Sequence, residues 1–257
     1  MKSLWNSFKI AFSMFSKIPM PQAEWTKENM KYMFCFFPFI GLVTGAVFTA
    51  VDLAASFLGF DGVFHTALLV LIPVLITGGI HVDGLLDTAD ALSSWQERER
   101  RLEILKDSHA GAFAVITGCV YFICCFGAYS QIGGNIKSVL IVSLIFAVSR
   151  CFSGLGVMTL PKAKESGTVA EFSRKAEEIT VRNVLICFLV ILAAAMVLVH
   201  PVLGSAAFVS ALLLFLYYRH TALKYFGGTT GDLSGFFLCL CEAGTAVVTA
   251  VLTAVLF

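Results

Sequence analysis

Apolar runs long enough to enter a bilayer recur from one end of this chain to the other, and that recurrence restricts the fold more than any other feature. Crossing about 30 Å of hydrocarbon takes roughly 20 apolar residues in a helix, and a spanning segment must satisfy its own backbone hydrogen bonds. Seven spans can be drawn: Phe34 to Phe57, Phe64 to Ile80, Ala112 to Ser130, Ser138 to Leu160, Asn183 to Val199, Val202 to Tyr218 and Phe236 to Phe257. Only 14% of the residues are charged, against about a quarter in soluble domains, so little is left over for a soluble appendage. The expectation is an all-α, polytopic integral membrane helix bundle, residues 1–257 forming a single domain in the lipid bilayer. His200-Pro201 marks a tight turn, which makes the fifth and sixth spans a helical hairpin.

Cationic residues orient this layout. With the N-terminus in the cytoplasm, Lys2, Lys9, Lys17, Lys27, Lys31, the run from Arg98 to Lys106, Lys162, Lys164, Arg174, Lys175, Arg182, Arg219 and Lys224 all fall on that side. Only Lys137 falls in an external loop, so the positive-inside rule assigns a cytoplasmic N-terminus and an external C-terminus. Leu4, Phe8, Phe12 and Phe15 repeat at helical spacing and Pro19 and Pro21 end the pattern, so residues 1–20 read as an amphipathic interfacial helix, not a cleavable signal. The cysteines sit in apolar spans without a CxxC pair and read as small buried hydrophobes. A net charge of +1 does not argue for nucleic acid, and none is expected as a partner.

The chemistry concentrates after the second span, in Gly78-Gly79-Ile80-His81-Val82-Asp83-Gly84-Leu85-Leu86-Asp87-Thr88-Ala89-Asp90. Successive helical residues are about 100° apart, so Asp83, Asp87 and Asp90 share one face. Three like charges on one stripe repel, and a cation against them relieves the repulsion. Oxygen-only ligands suit a hard ion, Mg²⁺ first and Mn²⁺ second. The plainer alternative is a polar helix start with exposed acids.

Topology gathers further polar elements onto the same cytoplasmic side. Gln96 to Ser108 reads as a charged helix carrying Arg101, Glu103, Lys106 and Asp107, and Gly227-Gly228-Thr229-Thr230-Gly231-Asp232 precedes the last span. Arg150 and Glu242 are ionisable groups at membrane depth, rare and usually functional, each nearer the cytoplasmic end of its span. Catalytic loops are therefore expected at residues 81–109 and 219–235. Clustered acids with nearby Lys and Arg suit a diphosphate: metal neutralises phosphate oxygens while cations hold the charge. The Gly-rich run can offer backbone N–H groups and the Thr230 hydroxyl to an anion, with Asp232 a further metal ligand. Taken alone, that run is a weak signal.

At this point the residues resemble a known family. Gly78 to Asp90 is similar to the Gly-Gly-x-His-x-Asp-Gly-x-x-Asp-Thr-x-Asp signature of the cobalamin synthases, the adenosylcobinamide-GDP ribazoletransferases. Phe15 to Pro21 resembles the family's N-terminal Arg-x-Pro-x-Pro region with Lys17 in place of Arg, and Phe37-Pro38-Phe39-Ile40-Gly41 its Phe-Pro-x-x-Gly. Arg101 to Ser108 followed by Gly111, the Ser149-Arg150 pair, and Gly227 to Asp232 with Glu242 complete the likeness in order; His109 stands where the family often has Arg.

The resemblance implies a transferase of cobalamin biosynthesis in the cytoplasmic membrane of a prokaryote. It joins adenosylcobinamide-GDP to α-ribazole or its 5′-phosphate and releases GMP, with Mg²⁺ required. On that reading Asp83, Asp87, Asp90 and Asp232 hold metal, and His81 or one of the acids accepts the hydroxyl proton. Lys106 and Arg101 bind phosphate or guanine-side oxygens. Asp107 is a further ligand or the ion-pair partner of Lys106; Ser108, Gly228, Thr230 and Gly231 line the substrate. Arg150 pairs with Glu242 or touches substrate, while Asp52 is structural. A homo-oligomer, or association with other cobalamin-pathway enzymes, is left open. A cation transporter would place acids along a path to both faces, and a membrane scaffold would not need the stripe. The CDP-alcohol phosphotransferases carry a longer Asp-x-x-Asp-Gly pattern not found here.

Overall fold

A computed structural model describes residues 2–107, 109–163 and 177–257. Ser108 and, from the cationic pattern, Lys164, Arg174 and Lys175 lie outside the described residues. The helices are α1 (Lys2–Phe15), α2 (Lys27–Met30), α3 (Phe37–Phe57), α4 (Gly62–Thr77), α5 (Ile80–Ser93) and α6 (Arg98–Ile104). They continue with α7 (Ala112–Ile132), α8 (Ile136–Thr159), α9 (Glu178–Val199), α10 (Pro201–Thr221) and α11 (Gly231–Leu256); among the described residues there is no β-strand.

Local chemistry explains where these helices begin. Asp61 caps α4 by accepting from the Phe64 N–H at 2.7 Å, and Asn135 caps α8 through the Ser138 N–H at 3.3 Å. His200 Nδ1 accepts from Leu203 N–H at 3.3 Å with Pro201 in the first turn of α10, so the expected tight hairpin between α9 and α10 is built as a cap followed by proline.

Six helical stretches are long and apolar enough to cross a membrane, and α4 with α5 makes a seventh only as a bent pair, folded by 92°. The second span therefore ends sooner than its apolar run suggests. Gly78 and Gly79 both take left-handed backbone angles, φ 68° and 80°, which stop α4 at Thr77 and turn the chain sideways. The fifth span is longer than its sequence boundaries, reaching back to Glu178.

α8 is buried along nearly its whole length and forms the axis of the bundle. α3 lies against it in backbone contact: a Cβ on Gly41 would strike the Phe146 carbonyl, and one on Gly45 the Ser143 carbonyl. The small-xxx-small spacing of Gly41 and Gly45 thus serves packing within the chain. Large apolar side chains such as Ile123, Val190, Leu198, Leu213 and Val255 are exposed around the outside, as a surface facing lipid requires.

α1 packs on the start of α3 with Ile10, Ala11 and Phe12 in the core, so much of its apolar face is spent on protein; Leu4 and Trp5 stay exposed. Lys9 is buried and donates to the Gln22 carbonyl at 3.3 Å. At the end of the bundle away from α5, Asp52 accepts from the Gly134 N–H at 3.0 Å and lies 2.9 Å from His65 Nε2, tying α3 to α4 and the α7–α8 turn. That is the structural duty expected of Asp52.

Candidate active site

α5 runs across the N-terminal ends of α7 and α11. Two glycines let it approach α11. A Cβ on Gly84 would lie 2.6 Å from the Asp232 carbonyl oxygen, and one on Gly235 would lie 3.0 Å from the His81 carbonyl oxygen. This backbone crossing brings the acidic stripe of α5 to Asp232 in the first turn of α11.

The four acids share one electrostatic field. Burial first, and then the negative charges of Asp83, Asp232 and Asp90, push the half-buried Asp87 carboxyl up to about 6. Asp83 is exposed, while Asp90 and Asp232 are half-buried. Asp90 is engaged: its two oxygens accept from Gly111 N–H at 2.5 Å and Ala114 N–H at 2.9 Å, capping α7 from another helix. Among the described residues no three His, Cys, Asp or Glu side chains are gathered closely enough to hold a metal ion by themselves. The donor set still fits Mg²⁺, which binds through one or two carboxylates with the remaining positions filled by water and substrate phosphate.

Below the acids is a cavity of about 160 Å³ lined by Phe15 of α1, Phe34 and Phe37 near the start of α3, Val157 of α8 and Leu238 of α11, with Asp83, Asp232 and His81 also on its wall. His81 is buried, its Nε2 has no hydrogen-bond partner among the described residues, and burial and then Arg150 hold its pKa well below the ordinary imidazole value. Deeper in the bundle Arg150 Nη1 lies 2.7 Å from Glu242 Oε1 and donates to the Phe146 carbonyl at 2.6 Å, while Ser149 Oγ donates to the same Glu242 oxygen at 2.8 Å. Of the two roles expected for Arg150, the pairing with Glu242 is the one built. Arg150 Nε and Nη2 have no partner among the described residues.

The Gly-rich run is spent largely on structure. Gly228 N–H donates to the Ala222 carbonyl at 2.9 Å and Thr229 N–H to Pro161 at 2.8 Å, while Thr230 Oγ1 caps α11 by accepting from Leu233 N–H at 3.2 Å. Gly231 and Asp232 lie in the first turn of α11. The expected charged helix is also shorter than its sequence suggests: α6 stops at Ile104, leaving Lys106 and Asp107 exposed beyond it. Asp107 pairs with His109 Nδ1 at 2.8 Å and not with Lys106.

Sequence reading missed Arg98 and Tyr225. The Arg101 guanidinium lies 4.9 Å from the Tyr225 ring centre, and a Cβ on Gly227 (φ 70°) would strike the Arg98 guanidinium. The aromatic Tyr225 beside Lys224 was the available signal; nothing local pairs Arg98 with a glycine so far along the chain. Lys106 and Lys224, close to these residues in sequence, are exposed.

The family model described as "Cobalamin-5-phosphate synthase" matches residues 7–250. A Lachnoclostridium phytofermentans protein named adenosylcobinamide-GDP ribazoletransferase is 48% identical over 247 residues, covering 95% of this chain and 94% of that protein. A protein of the same name from Clostridium botulinum (strain Alaska E43 / Type E3) is 32% identical over 94% of this chain and 96% of its own length. Another from Pseudomonas fluorescens is 29% identical over 96% and 98%. No solved structure matches the chain.

Proposed function

The chain belongs to the cobalamin-5-phosphate synthase family, and on that footing we propose that it transfers the cobinamide phosphate of adenosylcobinamide-GDP to α-ribazole or its 5′-phosphate at the cytoplasmic face of the membrane. The observation that carries the reading is the crossing of α5 over α11, which sets Asp83, Asp87 and Asp232 in one field above a chamber. A diphosphate donor needs both signs of charge within reach, and an alcohol acceptor needs a place to dock in line.

The acceptor hydroxyl oxygen forms a bond to the β-phosphorus, and the bond from that phosphorus to the bridging oxygen breaks, releasing GMP. Asp83, Asp87 and Asp232 would offer Mg²⁺ one or two carboxylates, and the ion would supply charge neutralisation at the phosphate oxygens when bound. Asp90 keeps α7 in register with the stripe. The hydroxyl proton passes to a carboxylate of the cluster. His81, made a weak base by burial, stays neutral and serves binding. Arg98, Arg101 and Lys106 attract the diphosphate and the nucleotide that leaves. The positive-inside distribution of lysine and arginine supports the cytoplasmic orientation.

Membranes containing the protein, given adenosylcobinamide-GDP and α-ribazole, should release GMP only when Mg²⁺ or Mn²⁺ is present. Asp83→Ala should lower that release by at least about 100-fold, the scale of losing a transition-state charge partner, with normal membrane accumulation. Turnover of the variant near the wild-type rate would remove the metal assignment.

A further inference from the structure

We infer that the apolar chamber under the acid cluster receives the aromatic base of the acceptor nucleoside, leaving its sugar hydroxyl at Asp83 and Asp232; this rests on the transferase reading above. The size of the chamber selects the kind of ligand. Whole-substrate sites span about 300–1,000 Å³, so a 160 Å³ cavity is too small for a corrinoid or an entire nucleotide. Apolar cavities of about 150 Å³ take up single aromatic molecules such as benzene.

The lining selects further. Phe15 and Phe37 have ring centres 4.4 Å apart, Phe34 lies 6.0 Å from Phe15, and the His81 ring sits 6.2 Å from Phe37, so one cluster of aromatic rings borders the chamber. Guanine, the base of the donor, carries amide and amino edges around its perimeter, which the phenylalanine, valine and leucine part of the wall leaves unpaired. A largely apolar heteroaromatic base meets no such penalty against the phenylalanine, valine and leucine side chains of that wall. Lipid is disfavoured for a different reason: Asp83 and Asp232 repel an anionic headgroup. Bound this way, the base carries its ribose toward the two acids and the β-phosphorus above them.

The test uses acceptor nucleosides whose bases grow from one ring to two rings and beyond, assayed in membranes with adenosylcobinamide-GDP held saturating and then varied. Val157→Phe fills the chamber, and should raise KM for the two-ring acceptor about tenfold or more, the penalty of a mismatched apolar pocket, while KM for the donor stays within about twofold. Leu238→Ala enlarges it and should improve the relative kcat/KM of the bulkiest acceptor; this variant decides the matter alone if Val157→Phe does not accumulate. An unchanged acceptor series in either folded variant, or a shift confined to the donor KM, overturns the chamber assignment while leaving the transferase reading intact. Absence of turnover by the wild type with every acceptor overturns both.

Discussion

Removing one partner of the Arg150–Glu242 pair leaves the other charged inside the bundle, with Arg150 fully buried. Breaking a buried pair from one side costs about 3–5 kcal/mol, whereas replacing both members with apolar residues is often neutral. Arg150→Met or Glu242→Gln should therefore lower unfolding stability in detergent by that amount, and Arg150→Met with Glu242→Leu should recover most of it. Asp87 gives a second expectation. Its folded-state pKa of about 6 lies above its ordinary 3.8, so the folded protein holds that proton more tightly than the unfolded chain. Stability is favoured at low pH and falls as pH rises from about 3.8 through about 6. Without divalent cation, wild type should lose thermal stability across that window relative to Asp87→Asn, and Mg²⁺ added above it should restore the difference. Arg150 and Glu242 stood out in the sequence because a charge inside an apolar run is expensive. The capping of α7 by Asp90 did not, since the stripe and Gly111 are joined only by the tertiary packing of α5 and α7.

The element that decides the site is α5, and its position depends on two glycines more than on its acids. Gly84 sits on the Asp232 backbone with no room for a methyl group. Gly84→Val should lift α5 from α11, spread the acids, and abolish transfer while leaving the six long spans able to insert; wild-type activity in that variant, read as GMP release, would remove the crossing from the argument. The helical period was legible from the Asp83, Asp87 and Asp90 spacing, but the second span was drawn through Gly78-Gly79 to Ile80. What could not be read was the 92° turn, because an apolar run carries no direction, and the shortness of α6, because its charged residues favour helix well past the point where the chain leaves it. The Gly-rich run illustrates the opposite error: its composition suited an anion nest, but its N–H groups at Gly228 and Thr229 close a turn against Ala222 and Pro161.

Across the whole molecule the polar chemistry lies at one end and the Asp52–His65 contact with Gly134 at the other. The apolar spans made the bundle legible before any contact was known, and the loop charges suggested which end meets the cytoplasm. In a background with the native cysteines replaced, Lys106→Cys should react with a membrane-impermeant maleimide in inside-out vesicles and stay unlabelled in right-side-out ones; the reverse pattern would invert the orientation. The arrangement of helices around α8 was less accessible, because close helix contacts such as Gly41 on Phe146 depend on which small residues meet and not on how many there are.

α1 is not simply a float on the bilayer. Met14 and Phe15 line the chamber, and the Lys17 N–H donates to the Ile76 carbonyl at 2.7 Å just before the glycine bend. Cutting away the first fifteen residues would leave every long span in place yet strip Met14 and Phe15 from the wall beside the acids.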